Sequence, residues 1–121
     1  MDYKKTLILG ASNNPSRYSF TAAQRLTKAE HPIVLVGVKR GEVAGQQIIH
    51  STEGISNIHT VTVYLSQKNQ TSYEGFILAL KPKRVIFNPG AENPGLMQKL
   101  AEQGVEAVEA CTLVMLGTGQ F

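Results

Sequence analysis

The chain has 121 residues, of which 42% are hydrophobic and 17% are charged, and its formal net charge is +3 at pH 7. This length fits one domain and excludes a second catalytic domain. The sequence has no apolar run of the about 18 residues that cross a bilayer and no apolar leader segment. Its single cysteine, Cys111, cannot form an internal disulfide. We therefore expect a cytoplasmic protein with no membrane partner.

The basic residues indicate what kind of anion the chain can bind. Lys and Arg are spread over most of its length, and the few aromatic residues are not interleaved with them in a stacking pattern. We therefore expect no nucleic-acid partner. A small anionic ligand needs only two or three of these charges, correctly placed.

The opening segment predicts a strand that leads into a phosphate-binding turn. Residues 6–9 are strand-forming, and a lone glycine, small polar residues and Pro15 follow before a helix. Such a turn presents backbone N–H groups and the positive end of a helix to an anion. Alternatively, Gly10 serves only a tight strand-to-helix turn. The residues of the predicted turn are Gly10, Ala11, Ser12 and Asn13.

The next segments alternate between helical and strand-like patterns. A helical stripe ends before His31-Pro32, and the almost continuous apolar run 33–38 is typical of a strand covered on both faces, as in parallel sheets. A loop at 41–45 and a short strand at 47–50 follow. The stripe consists of Phe20, Ala23, Leu26 and Thr27.

The second half continues the alternation. The β-branched residues of 59–65 predict a strand, with a turn at 66–69. A helix with one buried face then ends before Pro82, and 84–87 predicts another strand. The helical positions, at i, i+3, i+4 and i+7, are Tyr73, Phe76, Ile77 and Leu80.

The last elements carry clear helix-end signals. Asn93 is a typical N-cap with Pro94 at the first helical position, and Gly104 ends this helix. Residues 105–108 predict a last strand and 111–116 a short helix.

This order of elements predicts an α/β fold, a single doubly wound parallel sheet of the Rossmann-like type with about five to six strands and helices on both faces. Right-handed crossovers and a reversal beside the first strand place a crevice at the carboxyl ends of the strands. The loops expected at that edge are 10–19, 38–45, 65–69, 88–93 and 109–112.

The loop after the second strand indicates which nucleotide the crevice binds. An ordinary NAD site needs three spaced glycines and an acidic residue after the second strand, but the chain has only Gly10 in the first turn and Lys39-Arg40 after the second strand. Two cations suit an adenosine ribose that carries an extra phosphate, as in NADP or coenzyme A. The missing glycines disfavour NADP. Lys39-Arg40 could instead belong to a solvated loop.

The chain resembles the small stand-alone CoA-binding proteins, which are similar to the CoA-binding domain of the succinyl-CoA synthetase alpha subunit. The resemblance covers about residues 5–111 and depends on the order and spacing of LILGASNNPSRYS, VGVKRGEVAG, VTVYLS, FNPGAENP and CTLVMLGTGQF. It implies that the ligand is coenzyme A or an acyl-CoA, with NADP as the alternative.

The resemblance also implies where the ligand is held. The phosphates lie at the first turn, the adenosine 3′-phosphate faces the basic loop, and the later loops line the adenine or pantetheine path. The implied residues are Gly10, Ala11, Ser12, Asn13, Arg17 and Ser19 for the phosphates; Val38, Lys39 and Arg40 for the basic loop; and Leu65, Ser66, Asn88, Pro89, Gly90 and Ala91 for the remaining path.

Reactive groups are few in the sequence. His31, His50 and His59 share no metal or triad spacing, and no paired carboxylate or serine nucleophile motif is present, so we expect no catalytic or metal-binding residues. Cys111 follows the last strand and should lie at the ligand edge. Our hypothesis is that it forms a mixed disulfide with the thiol of CoA, across about 14 Å of sheet. The alternative is a buried structural thiol.

Three functions from different classes remain open. The first is a module that binds CoA or acyl-CoA without turnover. The second is an enzyme, either an NADP-linked reductase or a partner-dependent subunit of an acyl-CoA ligase. The third is a structural module that kept only the fold. Because small parallel-sheet domains often pair through apolar helix faces, a homo-oligomer is a further expectation.

Overall fold

Seven short strands form one sheet in the computed structural model, which describes residues 3–121. The strands are β1 (Thr6–Leu9), β2 (Ile33–Val36), β3 (Glu42–Val43), β4 (Gln46–Ile49), β5 (Thr60–Val63), β6 (Arg84–Phe87) and β7 (Glu106–Glu109). Their order in the sheet is β3-β4-β2-β1-β5-β6-β7. All neighbours are parallel except β3 and β4, which form an antiparallel hairpin. The predicted doubly wound sheet is confirmed.

The helices cover both faces of this sheet. They are α1 (Tyr18–Lys28), α2 (Gln67–Gln70), α3 (Glu74–Leu80), α4 (Pro94–Glu102) and α5 (Thr112–Gly117), with a 3-10 turn at Thr71–Tyr73. Apolar residues of α1 and α5 pack in one core cluster, and those of α3 and α4 pack in the other. The inner strands β1, β5 and β6 are buried along their whole length, and all their residues are apolar or β-branched except Arg84 at the start of β6. No helix within residues 3–121 is long and apolar enough to cross a membrane.

The strand count corrects the prediction of about five to six strands. β3 lies inside the predicted loop 41–45 and forms a hairpin with β4. Both residues of its turn have positive φ, +53° at Ala44 and +83° at Gly45. Such turns usually carry Asn-Gly or Asp-Gly, so Ala-Gly gives a weak signal in the sequence.

One local prediction is wrong and another is confirmed only in part. The segment 66–69, predicted as a turn, contains most of α2. In α1, Phe20 is only half-buried and Thr27 is exposed, whereas Ser19 and Ala22 are buried. Ala23 and Leu26 are buried as predicted, and Phe20 packs against the same core cluster. The predicted stripe is therefore wrong at Thr27 and omits Ser19 and Ala22.

The predicted ends of α4 are confirmed. The side-chain oxygen of Asn93 accepts a hydrogen bond from the Leu96 N–H at 3.2 Å, and Pro94 is the first helical residue. Gly104 has φ +79° just past the helix. The loop before α4 is therefore fixed at its junction with the helix.

A cationic cluster lies at the amino edge of the sheet, where β6 begins. Arg84 is only 6% exposed, and its guanidinium group lies 4.4 Å from the centroid of the Phe121 ring. The Phe121 carbonyl accepts hydrogen bonds from Lys4 and, at 2.9 Å, from Arg84. His31 packs against the same ring, and its Nδ1 accepts the Lys4 backbone N–H at 2.9 Å. Neutral His31 is therefore part of the native packing.

Acidification should destabilise the protein through this cluster. Burial lowers the pKa of His31, and the Lys4 and Arg84 cations lower it further; burial and then Arg84 do the same for the pKa of His59. The unfolded chain therefore binds protons at these histidines more readily, so stability is lost as pH falls through the unfolded value. We expect the melting temperature to fall from about pH 7 to 5. His31→Gln should flatten that fall in thermal unfolding at a series of pH values.

The matched control for this prediction is His50→Gln, since His50 is exposed and lies outside the cluster. It should leave the slope of melting temperature against pH as in the parent protein. If His31→Gln and His50→Gln changed the slope equally, the cluster would not be its source.

Candidate functional site

A cleft of about 790 Å³ opens at the carboxyl edge of the sheet, where the strand order reverses. β1 connects to β2 on one side, and β5 lies on the other, so the loops that follow these strands diverge and leave a crevice. The volume is in the range of small-molecule sites. The predicted residues that line the cleft are Gly10, Ala11, Ser12, Asn13, Arg17, Ser19, Val38, Lys39, Leu65, Ser66 and Pro89.

Five predicted residues lie outside this lining: Arg40, Asn88, Gly90, Ala91 and Cys111. Asn88 and Ala91 are 2% and 1% exposed, and their polar groups are bonded within the protein. The Gly90 N–H donates to both carboxylate oxygens of Glu92, each at 3.1 Å. Of the 88–91 segment, only Pro89 faces the cleft.

The side chain of Asn88 connects three elements beneath the cleft. Its amide nitrogen donates to the Thr62 hydroxyl at 2.7 Å and to the Val63 carbonyl at 2.9 Å, and its oxygen accepts the Thr112 N–H at 2.9 Å. The hydroxyls of Thr62 and Thr112 bond to each other at 2.7 Å. This network ties the ends of β5 and β6 to the start of α5.

The backbone conformation of the first turn requires glycine at position 10. Its φ is +93°, and a Cβ at this position would lie 3.0 Å from the Leu65 side chain and 3.2 Å from the Tyr64 backbone. The backbone N–H groups of Gly10 and Ala11 both donate to the Val36 carbonyl at 2.9 Å. These two amides are therefore committed to the link between β1 and β2.

The backbone N–H groups that remain available to a ligand lie after Ala11, in the segment 12–19. The Asn14 N–H donates to the Ser12 hydroxyl, and the Ser16 N–H donates to the Asn14 side chain. α1 begins after Arg17, whose side chain does not cap it. The segment's N–H groups that have no acceptor among residues 3–121 belong to Ser12, Asn13, Tyr18 and Ser19, all of which line the cleft. The residues that carry these four donors, and the positive end of an 11-residue helix, therefore border the cleft.

The basic loop after β2 lies against this turn. Gly37 allows the approach, because a Cβ there would overlap the carbonyl oxygen of Ala11. Beyond it, Val38 is 71% exposed and lines the cleft together with Lys39. β2 ends at Val36, so the predicted strand 33–38 was two residues too long. The shorter strand leaves Val38 and Lys39 free to border the cleft.

Several lining residues were not predicted from the sequence: Asn14, Tyr18, Gly37, Tyr64, Asn69, Ser72 and Tyr73. The sequence pattern placed Tyr64 inside a strand and Tyr73 on a buried helical face. Neither position is one where a ligand contact is expected, so both residues were left out of the predicted site. Asn69 falls in the segment that was taken for a turn. Only the position of 65–69 on the carboxyl edge indicated that this part of the chain borders the ligand.

The hydroxyl of Tyr64 is buried and has no hydrogen-bond partner in the part of the chain that the structure describes. Burial raises the pKa of Tyr64 to about 12, although the nearby hydroxyls of Thr62 and Thr112 tend to lower it. Those hydroxyls bond to each other, and neither forms a hydrogen bond with the phenol. Tyr64 is therefore a neutral phenol at physiological pH.

Cys111 is the N-cap residue of α5 and is half-buried. Its position after β7 agrees with its expected place on the carboxyl edge, but contact with a ligand thiol stays a prediction. Among residues 3–121, no three His, Cys, Asp or Glu side chains are grouped as they would be around a metal ion.

Together, the fold and the cleft define a Rossmann-like α/β domain with a ligand site at the reversal of strand order. Comparison with protein families gives a match to the CoA binding domain over residues 4–117. The chain belongs to this CoA-binding domain family, and that membership supports CoA binding. No curated protein sequence matches the chain.

Solved structures with the same fold include close and distant relatives. An uncharacterized protein is 50% identical, covers 100% of both chains and superposes with a TM-score of 0.96. A Thermus thermophilus protein is 21% identical over 98% of this chain and 91% of its own, with a TM-score of 0.86. A conserved hypothetical protein from Pyrococcus furiosus is 22% identical over 93% of this chain and 98% of its own, with a TM-score of 0.76. The last two show the fold alone.

Proposed function

We propose that the chain binds coenzyme A or an acyl-CoA in this cleft and catalyses no reaction alone. The observation that carries the proposal is the group of four uncommitted backbone N–H groups at the start of α1, beside Lys39, in a member of the CoA-binding domain family. Backbone donors at a helix N-terminus bind phosphate oxygens, and a lysine one loop away adds a positive charge for a further phosphate.

The strand order suggests how the ligand lies. The loops that border the cleft follow β2, β1, β5 and β6, which are adjacent in that order. If the 3′-phosphate lies at Lys39 and the pyrophosphate at residues 12–19, the pantetheine arm extends past Leu65 towards Pro89. The adenosine end then lies over β2 and the thiol end towards β6.

The ionisable side chains of the lining favour binding over catalysis. They are Arg17, Lys39, Tyr18, Tyr64 and Tyr73, and none is a carboxylate, an imidazole or a thiol. The raised pKa of Tyr64, about 12, keeps its proton in place near neutral pH. Such a lining attracts an anion but offers no general base suited to neutral pH.

Thermal unfolding with added ligand tests the proposal. At 100 times its dissociation constant, a ligand that binds only the folded state adds about 2.7 kcal/mol, which raises the melting temperature of a domain of this size by roughly 10 °C. We expect CoA to produce such a shift and NADPH to produce a much smaller one. An equal shift with NADPH would favour the reductase, and no shift with either would favour the structural module.

Native mass spectrometry of the protein after incubation with oxidised CoA tests the role proposed for Cys111. The thiolate of Cys111 attacks the disulfide of oxidised CoA, which forms a protein–CoA disulfide and releases one CoA thiol. We expect a covalent adduct that dithiothreitol removes and that Cys111→Ser abolishes. If only non-covalent CoA were detected, Cys111 would be a structural thiol.

A further inference from the structure

We infer that Gln70 is a positioning residue that holds the pantetheine part of the cleft in its binding shape without touching the ligand. The inference rests on the proposed function. Two walls form this part of the cleft. The first wall is residues 65–73, with Leu65, Ser66, Asn69, Ser72 and Tyr73 in the lining, and the second wall is the loop 88–93, with Pro89 in the lining.

Gln70 connects the two walls. It is fully buried at the last position of α2 and is not among the lining residues. Its amide nitrogen donates to the Leu65 carbonyl at 2.8 Å and to the Ala91 carbonyl at 2.7 Å. Its oxygen accepts a hydrogen bond from the Asn93 side chain at 2.9 Å. Both donors are used, one within each wall, so the separation of the walls depends on this side chain.

Asn93 extends the connection to the helices. It is 3% exposed, its oxygen caps α4, and its nitrogen also donates to the Glu74 carboxylate at 3.3 Å. The second wall is thereby fixed to the starts of α3 and α4. A shift of either wall would break the buried hydrogen bonds from Gln70 to Ala91 and from Asn93 to Gln70, where each unsatisfied group is costly.

The expected consequence is specific to one half of the ligand. Without the Gln70 amide, the carbonyls of Leu65 and Ala91 lose their donor, and the walls must rearrange to regain partners. Binding of the pantetheine arm would then have to order the two walls, and the affinity for CoA would fall. Adenosine 3′,5′-bisphosphate has no pantetheine arm. It needs only the first turn and Lys39, which Gln70 does not contact.

Isothermal titration of the full chain with CoA and with adenosine 3′,5′-bisphosphate tests this difference. In Gln70→Met, which keeps an unbranched side chain of similar length, we expect CoA to bind at least about tenfold more weakly. The affinity for adenosine 3′,5′-bisphosphate should change by less than about twofold. Asn93→Ser keeps an oxygen for the helix cap but removes the donor to Gln70, so it should give a weaker loss of the same kind. If Gln70→Met does not fold, the same two titrations of Asn93→Ser test the inference.

Thr60→Val is the matched control. Thr60 is fully buried at the opposite edge of the sheet, and its hydroxyl accepts a hydrogen bond from Arg84. This variant should lower stability but leave both affinities unchanged. Equal weakening of both ligands by Gln70→Met, or no weakening of CoA, would overturn the inference. If the parent protein did not bind CoA at all, the proposed function would fail first and the inference with it.

Discussion

Lys39→Ala should weaken CoA binding by about 10- to 100-fold, the loss expected when one charge-assisted contact disappears. Binding of dephospho-CoA, which lacks the 3′-phosphate, should hardly change. Lys39 lines the cleft, whereas the neighbouring Arg40 is exposed and lies outside the lining. Arg40→Ala should therefore have the smaller effect, and the double variant should differ little from Lys39→Ala. Isothermal titration with both ligands measures these differences.

Lys68→Ala is the control for a general effect of charge. Lys68 is exposed on α2, near the cleft but outside its lining, and its removal lowers the net charge by the same amount. Lys68→Ala should weaken the binding of CoA and of dephospho-CoA only slightly and by the same factor. If Lys39→Ala also weakened both ligands equally, the assignment of Lys39 to the 3′-phosphate would have to be abandoned.

Asn88→Ala should lower the free energy of unfolding by about 3 kcal/mol. The substitution leaves the buried Thr112 N–H without its acceptor and removes one of the hydrogen bonds made by the Thr62 hydroxyl and by the Val63 carbonyl. It also leaves a small cavity. Denaturant unfolding measures the loss, which should lower the melting temperature by roughly 10 °C.

The control for this variant is Asn69→Ala, since Asn69 is an exposed residue of the cleft lining. It should change the free energy of unfolding by less than about 0.5 kcal/mol.

The resemblance to CoA-binding proteins implied that Asn88 flanks the pantetheine arm. Should Asn88→Ala prove as stable as the parent and bind CoA less well, Asn88 would act on the ligand and not on the structure.

Much of the fold could be predicted because its signals are local. The apolar runs of β1, β2, β5 and β6 and the helix-end residues Asn93 and Gly104 have direct physical meanings that do not depend on distant contacts. β3 and α2 were missed for the opposite reason. β3 exists only because β4 pairs with it, and α2 ends in Gln70, a buried polar residue whose side chain bonds to the nearby Leu65 carbonyl and to the distant loop at Ala91.

The place of the cleft followed from topology, but its chemistry depends on tertiary contacts. The sequence indicated that Gly10 and Ala11 present amides to a ligand, yet both donate to Val36 on the neighbouring strand. Whether a backbone N–H is free depends on how closely β2 approaches, and that distance is set by the absence of a side chain at Gly37. No local pattern carries this information.

The two outer strands bear on how copies of the chain can associate. β3 has two residues, too few to template a further strand, and β7 carries exposed glutamates at both ends, Glu106 and Glu109. If two β7 strands met side by side in opposite directions, these carboxylates would face each other and repel. Continuous sheets across molecules, and the aggregation that they start, are therefore disfavoured.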